Sequence, residues 1–172
     1  METALYPAAQ SACFTGHRNL SEIAMRRAVE AVSNVIPRLV ERGIVHYYAG
    51  GAIGFDLAAA VTILNLKLTI PELSLTLALP CRDHMEKWGR IDRELFARVM
   101  ERADRTVYVN DGYFRGCMQA RNRYMVDQSS LCLSYMTVPR GGTYHTVVYA
   151  EKQGIPVINL ADEGMGEQRR FL

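Results

Sequence analysis

Lysine is scarce in this chain: three of its 20 basic residues are lysine and the other 17 are arginine. Arginine presents a planar fork that matches phosphate and carboxylate, where lysine presents a compact point charge. A GC-rich coding sequence produces the same bias, and many of these arginines fall on the outer faces of predicted helices. Charge of one sign is also lacking, since the net charge is +2, so no global field singles out nucleic acid or an anionic membrane as partner. No apolar run nears the roughly 20 residues of a membrane span. The start, Met1-Glu2-Thr3-Ala4, lacks the basic-then-apolar order of a signal peptide. The expectation is a soluble cytoplasmic protein with no membrane contact. Four cysteines, Cys13, Cys81, Cys117 and Cys132, stand far apart without a C-x-x-C pair, which favours buried free thiols over a disulfide framework or zinc site. The zinc helix H-E-x-x-H, the nucleophile elbow G-x-S-x-G and the phosphate loop G-x-x-x-x-G-K-[ST] are all missing. No metal and no cofactor is expected.

What is present is a regular alternation of short strand-like and longer helical apolar runs. This is the signature of repeated βα units, an α/β fold with a Rossmann-like parallel sheet of about six strands and helices on both faces. At 172 residues and 49% hydrophobic content the chain fits a single domain, with a core over about residues 11–160. Strands are expected at 11–15, 44–49, 73–79, 105–110, 131–136 and 155–159. The first helix is expected from about Leu20, with Asn19 and Glu22 spaced as a capping box and Met25, Val29, Val32, Ile36, Leu39 and Val40 as its stripe. Pro37 should kink it and Gly43 mark its end. An alanine-rich helix runs from Gly54 to about Leu66. A third carries Ile91, Leu95 and Val99 on one face, and two more lie near 117–128 and 143–153. The polar tail after Leu160 reads as an extra turn or a frayed end. The commonest order for such a sheet, 3-2-1-4-5-6, reverses between strands one and four. A ligand at that switch point would lie between Thr15-Gly16-His17-Arg18 and Asn110-Asp111-Gly112-Tyr113.

Four patches stand where a strand gives way to a helix: Cys13-Phe14-Thr15-Gly16-His17-Arg18, Ala49-Gly50-Gly51-Ala52-Ile53-Gly54-Phe55-Asp56, Ala120-Arg121-Asn122-Arg123 and Pro139-Arg140-Gly141-Gly142-Thr143. In a parallel sheet all such turns share one edge, so the patches converge into a crevice suited to an anion. Thr15, Gly16, His17 and Arg18 supply a hydroxyl, a close backbone and a guanidinium for phosphate. Gly50, Gly51 and Gly54 form G-G-x-x-G, which can turn N–H groups toward an anion at a helix start, but the dinucleotide fingerprint is incomplete. Asp56 either holds a ribose hydroxyl or complements the helix dipole. Gly141, Gly142 and Thr143 again combine glycines, a hydroxyl and helix N–H groups. Arg121 and Asn122 point about 100° apart on their helix, and Arg123 has Asp127 four residues on as a surface ion-pair partner. Trp88, Tyr113 and Phe114 lie in expected loops, where an aromatic ring stacks on a base or covers the core.

In order and spacing these motifs resemble the SLOG superfamily, which unites the DNA-processing protein A family with the LOG phosphoribohydrolases. The likeness is greatest to its small stand-alone YoqJ- and YpsA-like members and covers about residues 11–160. Cys13 to Arg18 is similar to their opening motif and Gly50 to Asp56 to their second-strand motif. Gly116-Cys117 through Arg121-Asn122-Arg123-Tyr124-Met125-Val126-Asp127 is similar to their helix motif, and Gly141 to Thr146 completes the set. The resemblance implies a Rossmann-like domain that binds nucleotides or nucleotide-derived ligands, as a sensor or as an enzyme. The phosphoribohydrolases use a helix arginine, which Arg121 or Arg123 could match, and a glutamate just after a P-G-G-x-G-T turn. Here no carboxylate follows that turn until Glu151. A hydrolase would therefore need Asp56 or Asp111 as its base. The DNA-processing relatives bind single-stranded DNA, which makes a single-stranded nucleic acid the alternative partner. A homo-oligomer, as in many relatives, is compatible with the exposed helix faces.

Overall fold

The structure is a computed structural model and describes residues 6–162. After a short 3-10 helix, Ala8–Gln10, come β1 (Ser11–Gly16), α1 (Glu22–Val40), β2 (His46–Ala49), α2 (Phe55–Leu66), β3 (Ser74–Leu79) and α3 (Arg90–Arg102). The second half holds β4 (Arg105–Tyr108), α4 (Cys117–Asp127), β5 (Leu131–Tyr135), α5 (Gly141–Lys152) and β6 (Val157–Asn159). All five strand pairings are parallel. The expected α/β fold with six parallel strands stands, and the polar tail falls outside the described residues from position 163 on.

The strand order is not the expected one. It runs β4-β3-β2-β1-β5-β6, so the reversal lies between β1 and β5, and β4 is an edge strand beside β3. Handedness explains both features. Right-handed crossovers that step in one direction place their helices on one face of the sheet. The steps from β1 to β4 bring α1, α2 and α3 onto one face, where Phe55, Ile63 and Phe96 join Phe14, Leu75 and Leu77 in the main core. The chain then returns through α4, steps the opposite way, and lays α4 and α5 on the other face over Cys13, Tyr48, Ala78 and Cys132.

Local signals account for the elements and for three departures. Ser21, not Asn19, caps α1, its Oγ accepting from Ala24 N at 3.1 Å. The helix runs through Pro37 and ends at Val40. Proline three residues from the end removes a single intrahelical donor, and Gly43, at φ +83°, closes the turn that follows. Ala28, Val32, Val35, Ile36 and Leu39 form its buried stripe, with Val29 exposed. In α3 the expected stripe is rotated: Ile91 and Leu95 are 76% and 41% exposed, while Phe96 and Val99 are buried. Phe96 offers more apolar area than either aliphatic, each buried phenyl contributing roughly 1.5–3 kcal/mol. α2 lies between α1, α3 and the sheet, so apolar residues occupy nearly its whole circumference.

Candidate functional site

The carboxyl ends of the strands open into a crevice of about 1050 Å³. Thr15, Gly16, His17, Arg18, Gly50, Gly51, Asp56, Arg121, Asn122, Gly141, Gly142 and Thr143 all line it. The four patches do converge, but they do different work.

The G-G-x-x-G segment is a packing junction. Asp56 is buried and its two carboxylate oxygens accept from Gly50 N at 3.0 Å and Ala52 N at 2.9 Å. Phe55 N donates to His17 O at 3.1 Å. The N–H groups expected to meet an anion are thus spent inside the protein. Gly54 has φ +95°, and a Cβ there would come within 2.3 Å of Arg18 O, so glycine lets the β1–α1 loop rest on the start of α2. A Cβ on Gly50 would meet the Arg121 guanidinium, and Arg121 Nη1 donates to Gly50 O.

Arg121 is 5% exposed and pairs electrostatically with Asp56 beneath the crevice. Burial pushes the Asp56 carboxyl up, against the Arg121 charge and the loop N–H donors that pull it down. Burial likewise lowers Arg121, against the Asp56 charge. From Arg121 a chain of hydrogen bonds crosses to α5. Its Nε donates to Asn122 Oδ1 at 2.7 Å, Asn122 Nδ2 donates to Thr146 Oγ1 at 2.9 Å, and Thr146 Oγ1 donates to Gly142 O at 2.8 Å. This ties the first turn of α5 to the buried pair. Arg123 lies elsewhere, with its guanidinium 5.4 Å from the Tyr149 ring centroid. Asp127 accepts from Tyr149 Oη at 2.8 Å rather than pairing with Arg123.

The rim beside β1 and β5 is the open part. A Cβ on Gly141 or Gly142 would meet nothing within 4 Å. The N–H groups of Gly141, Gly142 and Thr143 have no hydrogen-bond partner among the described residues. Arg18 and Arg140 are exposed, line the crevice and form no ion pair among the described residues. His17 braces this rim: its Nε2 accepts from Thr137 N at 3.2 Å and Val138 N at 3.4 Å, which requires the Nδ1–H tautomer. Free helix N–H groups beside two guanidiniums form an anion seat.

Of the opposite wall the sequence marks only Trp88, as an aromatic in an expected loop, and none of the charged residues. Residues 81–89, between β3 and α3, bring Asp83, His84, Glu86, Lys87 and Trp88 to the crevice, with Asp92 from α3. His84 Nδ1 lies 3.0 Å from Cys81 O, and its ring meets those of Trp88 and Phe96 edge-on at 5.5 and 5.4 Å. His84 Nε2 is buried without a hydrogen-bond partner among the described residues, and burial, reinforced by Arg121, lowers its pKa against the pull of the Cys81 carbonyl. Trp88 is 9% exposed, and Tyr113 and Met118 face it across the crevice mouth. Asp111 is exposed and does not line the crevice, although Tyr113 in the same loop after β4 does. All four cysteines are buried free thiols. No three His, Cys, Asp or Glu side chains among the described residues gather as metal ligands, and no described helix is long and apolar enough to cross a membrane.

Residues 14–153 match the YpsA family model, described as the YspA SLOG family. The UPF0398 protein BH1768 of Halalkalibacterium halodurans is 26% identical over 141 residues, covering 80% of this chain and 72% of that protein. The SPbeta prophage-derived protein YoqJ of Bacillus subtilis is 27% identical over 118 residues, 62% of this chain and 69% of that one. Among solved structures, DNA processing protein A from Helicobacter pylori, studied for its single-stranded DNA binding mode, superposes with TM-score 0.61 at 16% identity. That superposition covers 87% of this chain and 64% of that protein, so this chain spans under two thirds of it and the likeness is one of fold.

Proposed function

The chain belongs to the YspA SLOG family, and from that premise we propose that it binds a nucleotide or nucleotide-derived ligand, such as a nucleotide sugar or an ADP-ribose-like molecule, as a sensor or ligand-processing module. The observation that carries this reading is the set of open N–H groups of Gly141, Gly142 and Thr143 at the start of α5, which line the same crevice as Arg18 at the β1–β5 switch point. Phosphate sits on the N–H groups of Gly141, Gly142 and Thr143, with Arg18 and Arg140 as charge partners. The sugar and base extend along the crevice toward the exposed ring of Tyr113, which offers a stacking face. Asp56 acts through its loop, since both its oxygens already hold backbone N–H groups, and Arg121 and Asn122 hold α5 in place.

A glycosidic or phosphate hydrolase finds less support. Asp56 is occupied, Asp111 is outside the crevice, and Glu151 lies ten residues along α5, about 15 Å from its start. Thermal unfolding against a panel of nucleotides, nucleotide sugars and dinucleotides tests the proposal. A ligand at 100 times its Kd adds about 2.7 kcal/mol, which raises Tm by roughly 5–10 °C at this size. The expected result is a selective rise in the wild type that Arg18→Ala abolishes. No rise with any compound overturns the reading, and release of free base or phosphate from the bound nucleotide would move it to the hydrolase.

A further inference from the structure

Arg121 lines the crevice at 5% exposure, and its hydrogen bonds are incomplete. Nη1 donates to Gly50 O and Nε to Asn122 Oδ1. Nη2 has no hydrogen-bond partner among the described residues and stays open to the crevice. No carboxylate among the described residues forms an ion pair with this guanidinium. Asp56 acts on it only through space, because its oxygens are held by Gly50 N and Ala52 N. A guanidinium this deep calls for an anion in direct contact, since buried charge is costly when only partly compensated. Thr15, the penultimate residue of β1, is 6% exposed and lines the same crevice, and its hydroxyl also has no partner among the described residues. Alternation along β1 puts its side chain on the same face as Cys13, the face of α4 and α5.

Strand order sets the spacing of these unspent donors. Arg121 is held at the end of β2 through Gly50 O, the open N–H groups of Gly141, Gly142 and Thr143 follow β5, and β1 with Thr15 stands between them. At about 4.8 Å per strand, the two outer positions are about 10 Å apart along the sheet edge. A charge-assisted hydrogen bond at each end takes up roughly 5–6 Å of that span. The remainder is wider than one phosphate and matches two phosphates joined through an oxygen. Resting on the nucleotide reading above, we infer that the crevice is specific for a diphosphate, a nucleoside diphosphate or its ester, with one phosphate on the first turn of α5 and the other on Arg121 Nη2 and Thr15 Oγ1. Arg121 thus contacts the ligand as well as holding α5. Arg18, three residues beyond Thr15 in the same crevice, adds charge for both phosphates. A monophosphate fills the α5 seat and leaves Arg121 and Thr15 without an acceptor, and a site with buried donors discriminates strongly against a ligand that leaves them unpaired.

The test is titration calorimetry with the four ribonucleoside 5′-monophosphates, the corresponding 5′-diphosphates and the 3′,5′-bisphosphate of the base that binds best. It compares wild type with Thr15→Val, Thr15→Ser and Arg121→Lys. The wild type is expected to bind a diphosphate about tenfold or more tighter than its monophosphate. The bisphosphate, which carries the same added charge on a separate carbon, should bind like the monophosphate. Thr15→Val keeps the side-chain shape and removes the hydroxyl, so it should weaken the diphosphate about five- to tenfold and leave the monophosphate within about twofold. Thr15→Ser should restore the preference. Arg121→Lys keeps the charge and loses the fork, and should remove most of the preference if its Tm shows it folded; if it is unfolded, the two threonine variants decide. Equal affinity for mono- and diphosphate, a bisphosphate as tight as the diphosphate, or full preference retained in Thr15→Val or folded Arg121→Lys overturns the inference and leaves the nucleotide reading intact. A wild type that binds no nucleotide overturns both.

Discussion

Under the crevice, Asp56 and Arg121 are each 5% exposed, and neither is tolerable there alone. Burial raises the carboxyl and lowers the guanidinium, so each is held in its charged form by the other and by the loop N–H and C=O groups. Removing one partner leaves an uncompensated buried charge, which costs about 3–5 kcal/mol, more than the pair itself contributes. We predict that Asp56→Asn lowers Tm by roughly 6–20 °C, that Arg121→Met costs a similar amount, and that the double variant costs far less than the sum. Additive losses in urea unfolding would show that the two side chains act separately. Neither sequence reading of Asp56, a ribose ligand or a complement to the helix dipole, names the contacts it makes here, which are to the Gly50–Ala52 loop. A carboxylate with both oxygens on backbone donors is a brace, and it reaches a ligand only through the Gly50–Ala52 backbone it orders.

Between elements, the junction of β1 and α2 shows how glycine was used. The three glycines of the second patch read as an anion cradle because such cradles are built from glycines before a helix. The same composition serves when another piece of protein must approach closely. Arg18 O occupies the space beside Gly54, and the Phe55 N–H that an anion would need goes to His17 O. We predict that Gly54→Ala, at φ +95° and with a contact of 2.3 Å to backbone, costs at least about 2 kcal/mol. It should also displace Arg18 and lower nucleotide affinity, whereas Gly142→Ala, which meets open space, should leave Tm nearly unchanged. Equal losses of Tm in the two variants would refute this division of labour. The fourth patch has the same residue types, but its N–H groups stay open because α5 begins at the rim beside β1 and β5, where a Cβ on Gly141 or Gly142 would meet nothing within 4 Å.

For the whole molecule, one source of acid sensitivity lies at the amino end of the sheet, opposite the crevice. His46, 2% exposed at the start of β2, is stacked on Tyr6 at 4.3 Å and met edge-on by Tyr48 at 4.7 Å. Burial pushes its pKa from 6.5 down to about 4, with Asp104 pulling it up and Arg105 pulling it down. Above pH 6.5 both folded and unfolded states are neutral at this residue and it contributes no pH dependence. Between 6.5 and about 4 only the unfolded chain takes up the proton, so stability falls as pH falls, by up to about 1.4 kcal/mol per pH unit. Below about 4 this slope disappears. Urea midpoints across that window should show the fall in wild type and lose most of it in His46→Phe. A slope that persists in the variant would assign acid sensitivity to other groups. Because His46 is remote from Arg18 and α5, Arg18→Ala should leave the profile in place.

From the sequence alone came the five βα steps with a sixth strand, the parallel sheet, the patches at one edge and the likeness to the SLOG superfamily. Those depend on local period and turn chemistry, and short-range sterics write them into neighbouring residues. Strand order depends on where the chain turns back, and nothing in the composition of β4 marked it as the strand that stays beside β3. That one decision set the switch point at β5 and brought the 81–89 wall into the crevice opposite Arg18 and Arg140. Which N–H groups stay free is likewise a tertiary matter. A backbone donor reads the same in the Gly50 and Gly141 segments, and only packing decides that the first is satisfied by Asp56 and His17 while the second is left for a ligand.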